Sequence, residues 1–330
     1  MKLFDEIKPV FFIDNKMNNL LNDINVKLKN INVNDKQKRK YMISKSKIRS
    51  IHSSLAIEAN SLSLFDVESI SENKLILGKK DEVQEVKNAI EAYNHINEYN
   101  YKCENDLLKL HGLMMKYFDE DNGNYRNHGE GVKRKDEIIY MAPESILVPS
   151  LMKSLFEYIS SSDLNIIILS AIFHYYFVFI HPFSDGNGRC ARFWVTLMLI
   201  NYDKNFEFIP LEEEIYLNQE NYYLAIAKCH NNGNANIFIK FILQTINSSL
   251  DKLIKNSDFV CNDIQNKIIE LIANNNRITQ NEIANITNVN VRTIKRNFKI
   301  FVNAIDKWKI IAKIVIVSTR GNRVLNDFFK

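Results

Sequence analysis

A chain of 330 residues, 46% of them hydrophobic, is too long for one compact domain and rich enough in apolar side chains to build a core, so two or three units are expected. Its formal net charge of +4 is unevenly placed: from residue 265 onward twelve Lys and Arg face four Asp and Glu, which sets a basic C-terminal module apart from a net acidic remainder. Cys103, Cys190, Cys229 and Cys261 are scattered without CxxC or metal-type spacing, which excludes a disulfide framework and points to reduced thiols in an intracellular, cytoplasmic protein.

The N-terminus carries Asp5 and Glu6 early and has no long apolar region, so no secretory signal is expected. Up to about residue 80 the chain is Asn- and Lys-rich with helical patches. Residues 46–59 contain neither Gly nor Pro, and Ile48, Ile51 and Leu55 recur at helical spacing, which places Ser54 and Glu58 one turn apart on one face, with Asn60 at the helix end. Ser63 and Asp66 then have the spacing of a capping box that starts another helix. Residues 81–120 read as wholly helical: Val83, Val86, Ala89, Ile90 and Tyr93 form one apolar face, Leu107, Leu108, Leu110, His111, Met114 and Met115 a second, with His111 read as core.

After Asp119 the pattern breaks into loops at Asp121–Arg126 and Gly129–Gly131, and Val132 to Tyr140 reads as a short two-stranded ribbon inserted into helical surroundings. Helical periodicity restarts at Pro149 and returns over residues 164–180. The run Ile166 to Phe183 is almost entirely apolar, but it holds Ser170 and His174 and leads into a polar loop, so it reads as a buried core helix and not a membrane span.

That loop is the most informative stretch of the chain: His181-Pro182-Phe183-Ser184-Asp185-Gly186-Asn187-Gly188-Arg189-Cys190-Ala191-Arg192. Gly186 and Gly188 let backbone approach a ligand closely, and a helix that starts there points its free N–H groups and positive dipole end at an anion. Arg189 and Arg192, three apart on the first turn, can grip different oxygens of one polyphosphate, Asp185 can hold a divalent cation, and His181 stands at the rim as a candidate general base. The following helix, to about Tyr202, sends Trp194, Leu197 and Met198 into the core, and Gly233 to Ile242 forms a last helix of that region. Past Asp251 the chain becomes basic. Thr279 caps a short helix, Gln280 to Ile286; Thr287 to Asn290 turn into a second, Val291 to Val302, with Val291, Ile294, Phe298 and Phe301 on one face and Arg292, Lys295, Arg296 and Lys299 on the other. This is a helix-turn-helix pattern, and Ile310 to Val317, the turn at 319–322 and Arg323-Val324 would add a wing, so the unit resembles a winged-helix domain that contacts DNA or protein.

Residues 181–192 resemble the HPFx(D/E)GNGRxxR signature of the Fic family at every defined position. The resemblance implies an all-α Fic fold with a small β-hairpin flap, followed by a winged helix-turn-helix (α+β), in three parts: residues 1–80, an N-terminal helical region; 81–250, the catalytic domain; and 251–330, the winged helix. It implies a protein adenylyltransferase that moves AMP from ATP to a Ser, Thr or Tyr hydroxyl of a protein target, itself included, with Mg²⁺ on Asp185 and His181 as base. Gly186, Asn187, Gly188 and Arg189 would then stabilise charge on the transferring phosphate, and Arg192 would orient the γ-phosphate. Ser54, Glu58 and Asn60 are similar to the family's inhibitory motif (S/T)xxxE(G/N), in which the glutamate pairs with the second arginine and fills the γ-phosphate position. Ala59 stands where the family usually has Gly; if the backbone there takes positive φ, alanine costs on the order of 1 kcal/mol. Ile139, Tyr140 and Met141 would dock the target by strand addition, and Tyr222-Tyr223 resembles a helix that flanks the adenine. Transfer of UMP, phosphocholine or phosphate, removal of AMP, a DNA-binding regulator built on a degenerate Fic fold, and a homodimer stay open beside this reading.

Overall fold

The computed structural model describes residues 6–31, 33, 35–118, 122–134, 137–257, 264, 267–268, 271–272 and 278–305. The chain divides into two compact units, Met1–Lys255 and Asn256–Lys330.

Among the described residues the regular structure of the first unit is helical apart from one hairpin. In chain order it holds α1 (Asn15–Asn30), α2 (Lys36–Ile57), α3 (Leu64–Ser71), α4 (Lys80–Asn94) and α5 (Glu104–Met114). The strands β1 (Gly131–Arg134) and β2 (Glu137–Met141) follow, then α6 (Val148–Ser161), α7 (Ile166–Ile180), α8 (Asn187–Tyr202), α9 (Leu211–Leu217), α10 (Gln219–Asn232) and α11 (Asn236–Ser257). Short polar side chains start several of these helices by accepting from first-turn N–H groups: Asp14 for α1, Asp35 for α2, and Ser63 with Asp66 as a complete capping box for α3. β1 and β2 pair antiparallel, Gly131 opposite Met141, with a bulge between Val132 and Lys133.

α7 is buried on nearly every side and packs along α8, which explains why its sequence shows no polar face. The two helices share an aromatic core in which Phe173, Phe177, Phe193 and Trp194 are fully buried, and the Phe173 and Trp194 rings stack at 6.0 Å. Each such ring contributes roughly 1.5–3 kcal/mol by burial, so the loop joining α7 to α8 is carried on a stiff frame. No helix among the described residues is long and apolar enough to cross a membrane.

α2 belongs to the same unit and packs on α9, α4 and α3. Its face is held by a buried carboxylate, Glu212 of α9, which accepts from Ser50 Oγ at 2.6 Å, Thr196 Oγ1 at 2.7 Å and the Tyr93 hydroxyl at 2.8 Å. Three hydroxyl donors are what a carboxylate needs to be tolerated where water does not reach it.

Two boundaries differ from the sequence expectation. The stretch 81–120 breaks between Asn94 and Glu104, where a single 3₁₀ turn (Ile96–Glu98) and an Asn100 turn replace the helix: Asn100 Oδ1 accepts from Lys102 N–H, the local competition that makes Asn a poor helix former. α11 begins at Asn236 instead of Gly233, because Gly233 takes φ +66° as the left-handed end of α10. α2 runs from the Asp35 cap and takes in the 46–57 stretch that shows helical spacing.

In the second unit Thr279 and Glu282 make a capping box for α12 (Gln280–Thr287), and α13 (Val291–Ile305) follows. Asn288, at φ 52°, makes the turn, with Val289 N–H bonded to the Ala284 carbonyl at 3.0 Å. Ile268, Ile278, Ile283, Ala284, Ile294 and Phe298 form a small core, while Arg292, Lys295 and Arg296 are exposed on α13. The helix-turn-helix is therefore present as expected. Cys261, the side chains of Lys299 and Phe301, and the wing at residues 310–324 lie outside the described residues.

Candidate active site

His181 is the residue at which α7 stops. Its N–H closes the last turn on the Phe177 carbonyl at 2.9 Å, and its own backbone is left-handed, φ 52° and ψ 61°. A non-glycine residue held there costs of order 1–3 kcal/mol and persists only where its surroundings enforce it. Arg126 does so. This buried guanidinium donates from Nε to the His181 carbonyl at 2.7 Å, from Nη1 to His128 O at 2.7 Å, and from Nη2 to Pro143 O at 2.6 Å and Ile180 O at 3.3 Å. Its backbone N–H meets the Pro182 carbonyl at 2.9 Å. Arg126 thus ties both ends of the ribbon to the residues around His181.

Burial lowers the pKa of His181 below its ordinary 6.5, with the Val178 carbonyl one turn back opposing the shift. The ring is therefore neutral near pH 7, the form that accepts a proton.

The loop is folded around Gly186, φ 79°, where a Cβ would come within 2.8 Å of Met115 Sδ. His111 supports it from below: Nδ1 accepts from Gly123 N–H at 2.9 Å, which leaves Nε2 to donate to the Asp185 carbonyl at 3.0 Å, and the ring stacks on Phe183 at 3.7 Å. His111 is buried, as the sequence suggested, but it shapes the loop as well as filling the core. Asn187 closes the loop from inside, its Oδ1 accepting from Phe183 N–H at 3.0 Å and its Nδ2 donating to Phe183 O at 2.7 Å. Both side-chain atoms are thus spent on backbone, so Asn187 acts on the shape of the loop. α8 has no side-chain cap, which leaves its first-turn N–H groups directed at the loop.

Arg189 and Arg192 are both buried. Arg189 meets Asp185 Oδ2 at 2.8 Å through Nη2 and Glu85 Oε1 at 3.0 Å through Nη1. Arg192 donates to Ser54 Oγ at 3.0 Å, Ser54 O at 2.9 Å and Glu58 Oε1 at 2.7 Å. The pairing of Glu58 with the second arginine, and the one-turn spacing of Ser54 and Glu58, are as the sequence implied. Glu58 also packs on Gly188, whose α-carbon has no room for a Cβ beside it.

Glu58 is the C-cap of α2, and the turn after it has the hydrogen-bond pattern of a Schellman motif: Asn60 N–H to Leu55 O at 3.1 Å, Ala59 N–H to Ala56 O at 3.1 Å. The residue between them must be left-handed, and Ala59 has φ 67°. Replacing Ala59 with Gly relieves roughly 1–2 kcal/mol of Cβ strain and loses roughly 0.4–1 kcal/mol through a more flexible unfolded chain. The expected net is a stabilisation of about 0.5–1 kcal/mol, read by urea denaturation; a less stable variant would refute the strain.

Tyr222 is a buried neighbour of the loop, with its hydroxyl close enough to Arg192 to bond to that guanidinium. It is 2% exposed, its hydroxyl meets His174 Nε2 at 2.9 Å, and its ring packs against Phe238. His174 is fully buried and its pKa falls to about 3 by burial, so it is a neutral core residue. Tyr223 is half-buried.

A profile of the Fic/DOC family matches residues 101–199, and one described as winged helix-turn-helix DNA-binding matches residues 262–304. A solved structure of a Fic family protein from Desulfovibrio desulfuricans G20 is similar at a TM-score of 0.74 and 31% identity, over 88% of this chain and 90% of that one. The chain belongs to the Fic/DOC family. A Fic domain containing signaling protein from Bacteroides thetaiotaomicron VPI-5482 shares the Fic fold, with TM-score 0.59 and 20% identity over 72% of this chain and 95% of that one. Protein adenylyltransferase Fic of Drosophila erecta is 28% identical over 213 residues, 61% of this chain and 40% of that protein. The chain thus spans about two fifths of the length of the curated relatives it matches.

The Fic profile takes in Arg126, the ribbon and the 181–192 loop, whereas Ser54 to Asn60 lie ahead of it. The ribbon of this Fic chain is seated by Tyr140, whose hydroxyl donates to Phe179 O at 3.0 Å and whose ring stacks on His230 at 4.1 Å. Burial first, and the neighbouring His181 second, lower the His230 pKa to about 4. Met141 is exposed, and the side chain of Ile139 lies outside the described residues. Asp185 presents one exposed carboxylate on the loop, and no group of three or more metal-binding side chains occurs among the described residues. That donor set fits Mg²⁺, which is held by one or two carboxylates together with substrate phosphates, and does not fit a closed zinc site.

Proposed function

We propose that this Fic chain transfers AMP from ATP to a hydroxyl of a protein, and that Glu58 holds the reaction back. One observation carries the reading: a buried arginine on the first turns of α8, in a loop shaped for phosphate, is occupied by a carboxylate supplied from α2. A γ-phosphate and Glu58 are competing anions for the same guanidinium.

In this reading the uncapped start of α8 and Arg189 bind phosphate oxygens, and Arg192 takes the γ-phosphate once Glu58 has left. Neutral His181 removes the proton from the target hydroxyl as its oxygen attacks the α-phosphorus. The bond to the pyrophosphate oxygen breaks, and pyrophosphate departs from the opposite side. Mg²⁺, when bound, neutralises charge on the phosphate oxygens, and Asp185 would hold it. The target segment lies along the ribbon by adding a strand to it, a mode that suits a two-stranded sheet. The reading places the protein in the cytoplasm, where ATP and protein hydroxyls meet. Intact-mass spectrometry after incubation with ATP and Mg²⁺, beside parallel reactions with UTP, GTP and CDP-choline, tests it: a mass increase of one AMP on the chain or on an added target supports transfer, and an increase only with another donor overturns AMP as the group moved.

A second function is favoured by α13. Arg292, Lys295 and Arg296 are exposed there, opposite Ile294 and Phe298. We propose that this face contacts DNA phosphates. Binding of a DNA duplex to the full chain is expected to weaken with salt, with a log–log slope near −0.9 per phosphate contacted. Arg296→Ala is expected to reduce that slope by about 1, and salt-independent binding or none would overturn the assignment.

A further inference from the structure

Arg189 is bound on both sides, and the two sides are unlike. Asp185 lies in the loop just ahead of α8, four residues before Arg189, and its side chain is 66% exposed, so it is free to exchange partners with solvent or a cation. Glu85 comes from α4 and is held in turn: its Oε2 accepts from Asn60 Nδ2 at 2.8 Å. Asn60 is buried, its Nδ2 also donates to the Glu82 carbonyl at 3.1 Å, and its Oδ1 caps Leu62 N–H at 3.1 Å. A continuous chain of contacts therefore runs from Asn60 through Glu85 to Arg189, while Glu58, two residues before Asn60, holds Arg192. The Arg189 Nε is buried without a partner, so this guanidinium keeps an unspent donor in the site.

A buried guanidinium paired with a fixed carboxylate has less field to offer a phosphate than one whose carboxylate can move away. The end of α2 thereby bears on both arginines of the loop: on Arg192 through the Glu58 ion pair, and on Arg189 through the contact chain in α4 together with the nearby Glu58 charge. We propose that Glu85 is a positioning residue that couples the 54–60 segment to Arg189, so that departure of Glu58 and loosening of Arg189 from Glu85 occur together and both arginines turn to the nucleotide at once. The inference rests on the inhibitory reading of Glu58 and adds to it a second route of control through Arg189.

The test measures MgATP affinity by calorimetry and amide hydrogen exchange over residues 54–62, in the full chain. Glu85→Gln removes the ion pair while keeping the shape. It is expected to tighten MgATP about five-fold or more, the lower end of ordinary site-to-site coupling, and to speed exchange in the 54–62 segment before nucleotide is added. Asn60→Ala breaks the same chain at its other end and is expected to do likewise, and the double variant should gain no more than the stronger single one, because the two residues act through one contact. A purely structural role for Glu85 would lower the melting temperature and leave affinity and exchange unmoved. If Glu58→Gly raises AMP incorporation while Glu85→Gln and Asn60→Ala both bind MgATP as the wild type does, the coupling is overturned and the inhibitory reading stands. Additive effects in the double variant also overturn it. If Glu58→Gly leaves incorporation unchanged, the inhibitory reading falls and the coupling with it. Should Glu85→Gln fail to fold, Asn60→Ala decides alone by the same two measurements.

Discussion

His181→Ala is expected to lower AMP incorporation by a factor of about 10²–10⁴, the range that a positioned general base contributes, while the circular dichroism spectrum and nucleotide binding persist. Persistence is expected because the His181 contacts to Arg126 and Phe177 run through backbone atoms, which alanine keeps. Alanine accepts the left-handed φ of 52° no better than histidine does, so a small loss of stability is expected without unfolding. The pH profile gives an independent check. The base works in its neutral form, and burial depresses the His181 pKa below 6.5, so the acid limb should lie below pH 6.5 and activity should already be on its plateau at pH 7. Equal incorporation by the alanine variant would end the assignment.

Glu58→Gly should raise incorporation by roughly 5–150-fold, the reach of a coupling of 1–3 kcal/mol. Removing one partner from a fully buried pair costs about 3–5 kcal/mol of stability. The cost here should be smaller, because Arg192 keeps Ser54 Oγ and Ser54 O and because the Glu58 side chain is 32% exposed and partly screened. The contrast is diagnostic: the variant should be somewhat less stable and much more active. Unchanged incorporation with nucleotide still bound would remove Glu58 from regulation.

The loop was legible in sequence because its chemistry is contiguous: base, carboxylate, glycines and arginines fall within residues 181–192 and one turn of helix brings them together. The 54–60 segment was legible through its helical spacing, and Ala59 proved to occupy the left-handed position that a glycine would favour. Arg126, Glu85 and the supporting role of His111 were not legible. Arg126 acts on carbonyls of residues 128, 143, 180 and 181, and every residue has a carbonyl, so no pattern of side chains announces it. Glu85 sits on a helix whose periodicity speaks only of core and solvent faces, and its two partners arrive from far along the chain. The surroundings of Tyr222 were not legible either: two adjacent tyrosines on a helix point to different surroundings, and this one is buried between His174 and Arg192. The helix-turn-helix was plain from its capping box and amphipathic second helix.

In the inhibitory reading of Glu58, the left-handed alanine after it sets a level of leakage. Ser50 of α2 is bonded to Glu212, two turns before Glu58, so the glutamate can leave by unwinding the last turn of the helix while the rest of α2 stays docked. The Cβ of Ala59 strains that same turn in its wound state, and after allowance for the greater freedom of glycine in the unwound chain the net of about 0.5–1 kcal/mol favours the unwound state by a factor of about 2–5 over a chain with glycine there. The resting enzyme should therefore idle at a basal rate fixed in part by one methyl group, and shaving that methyl away should make the restraint tighter.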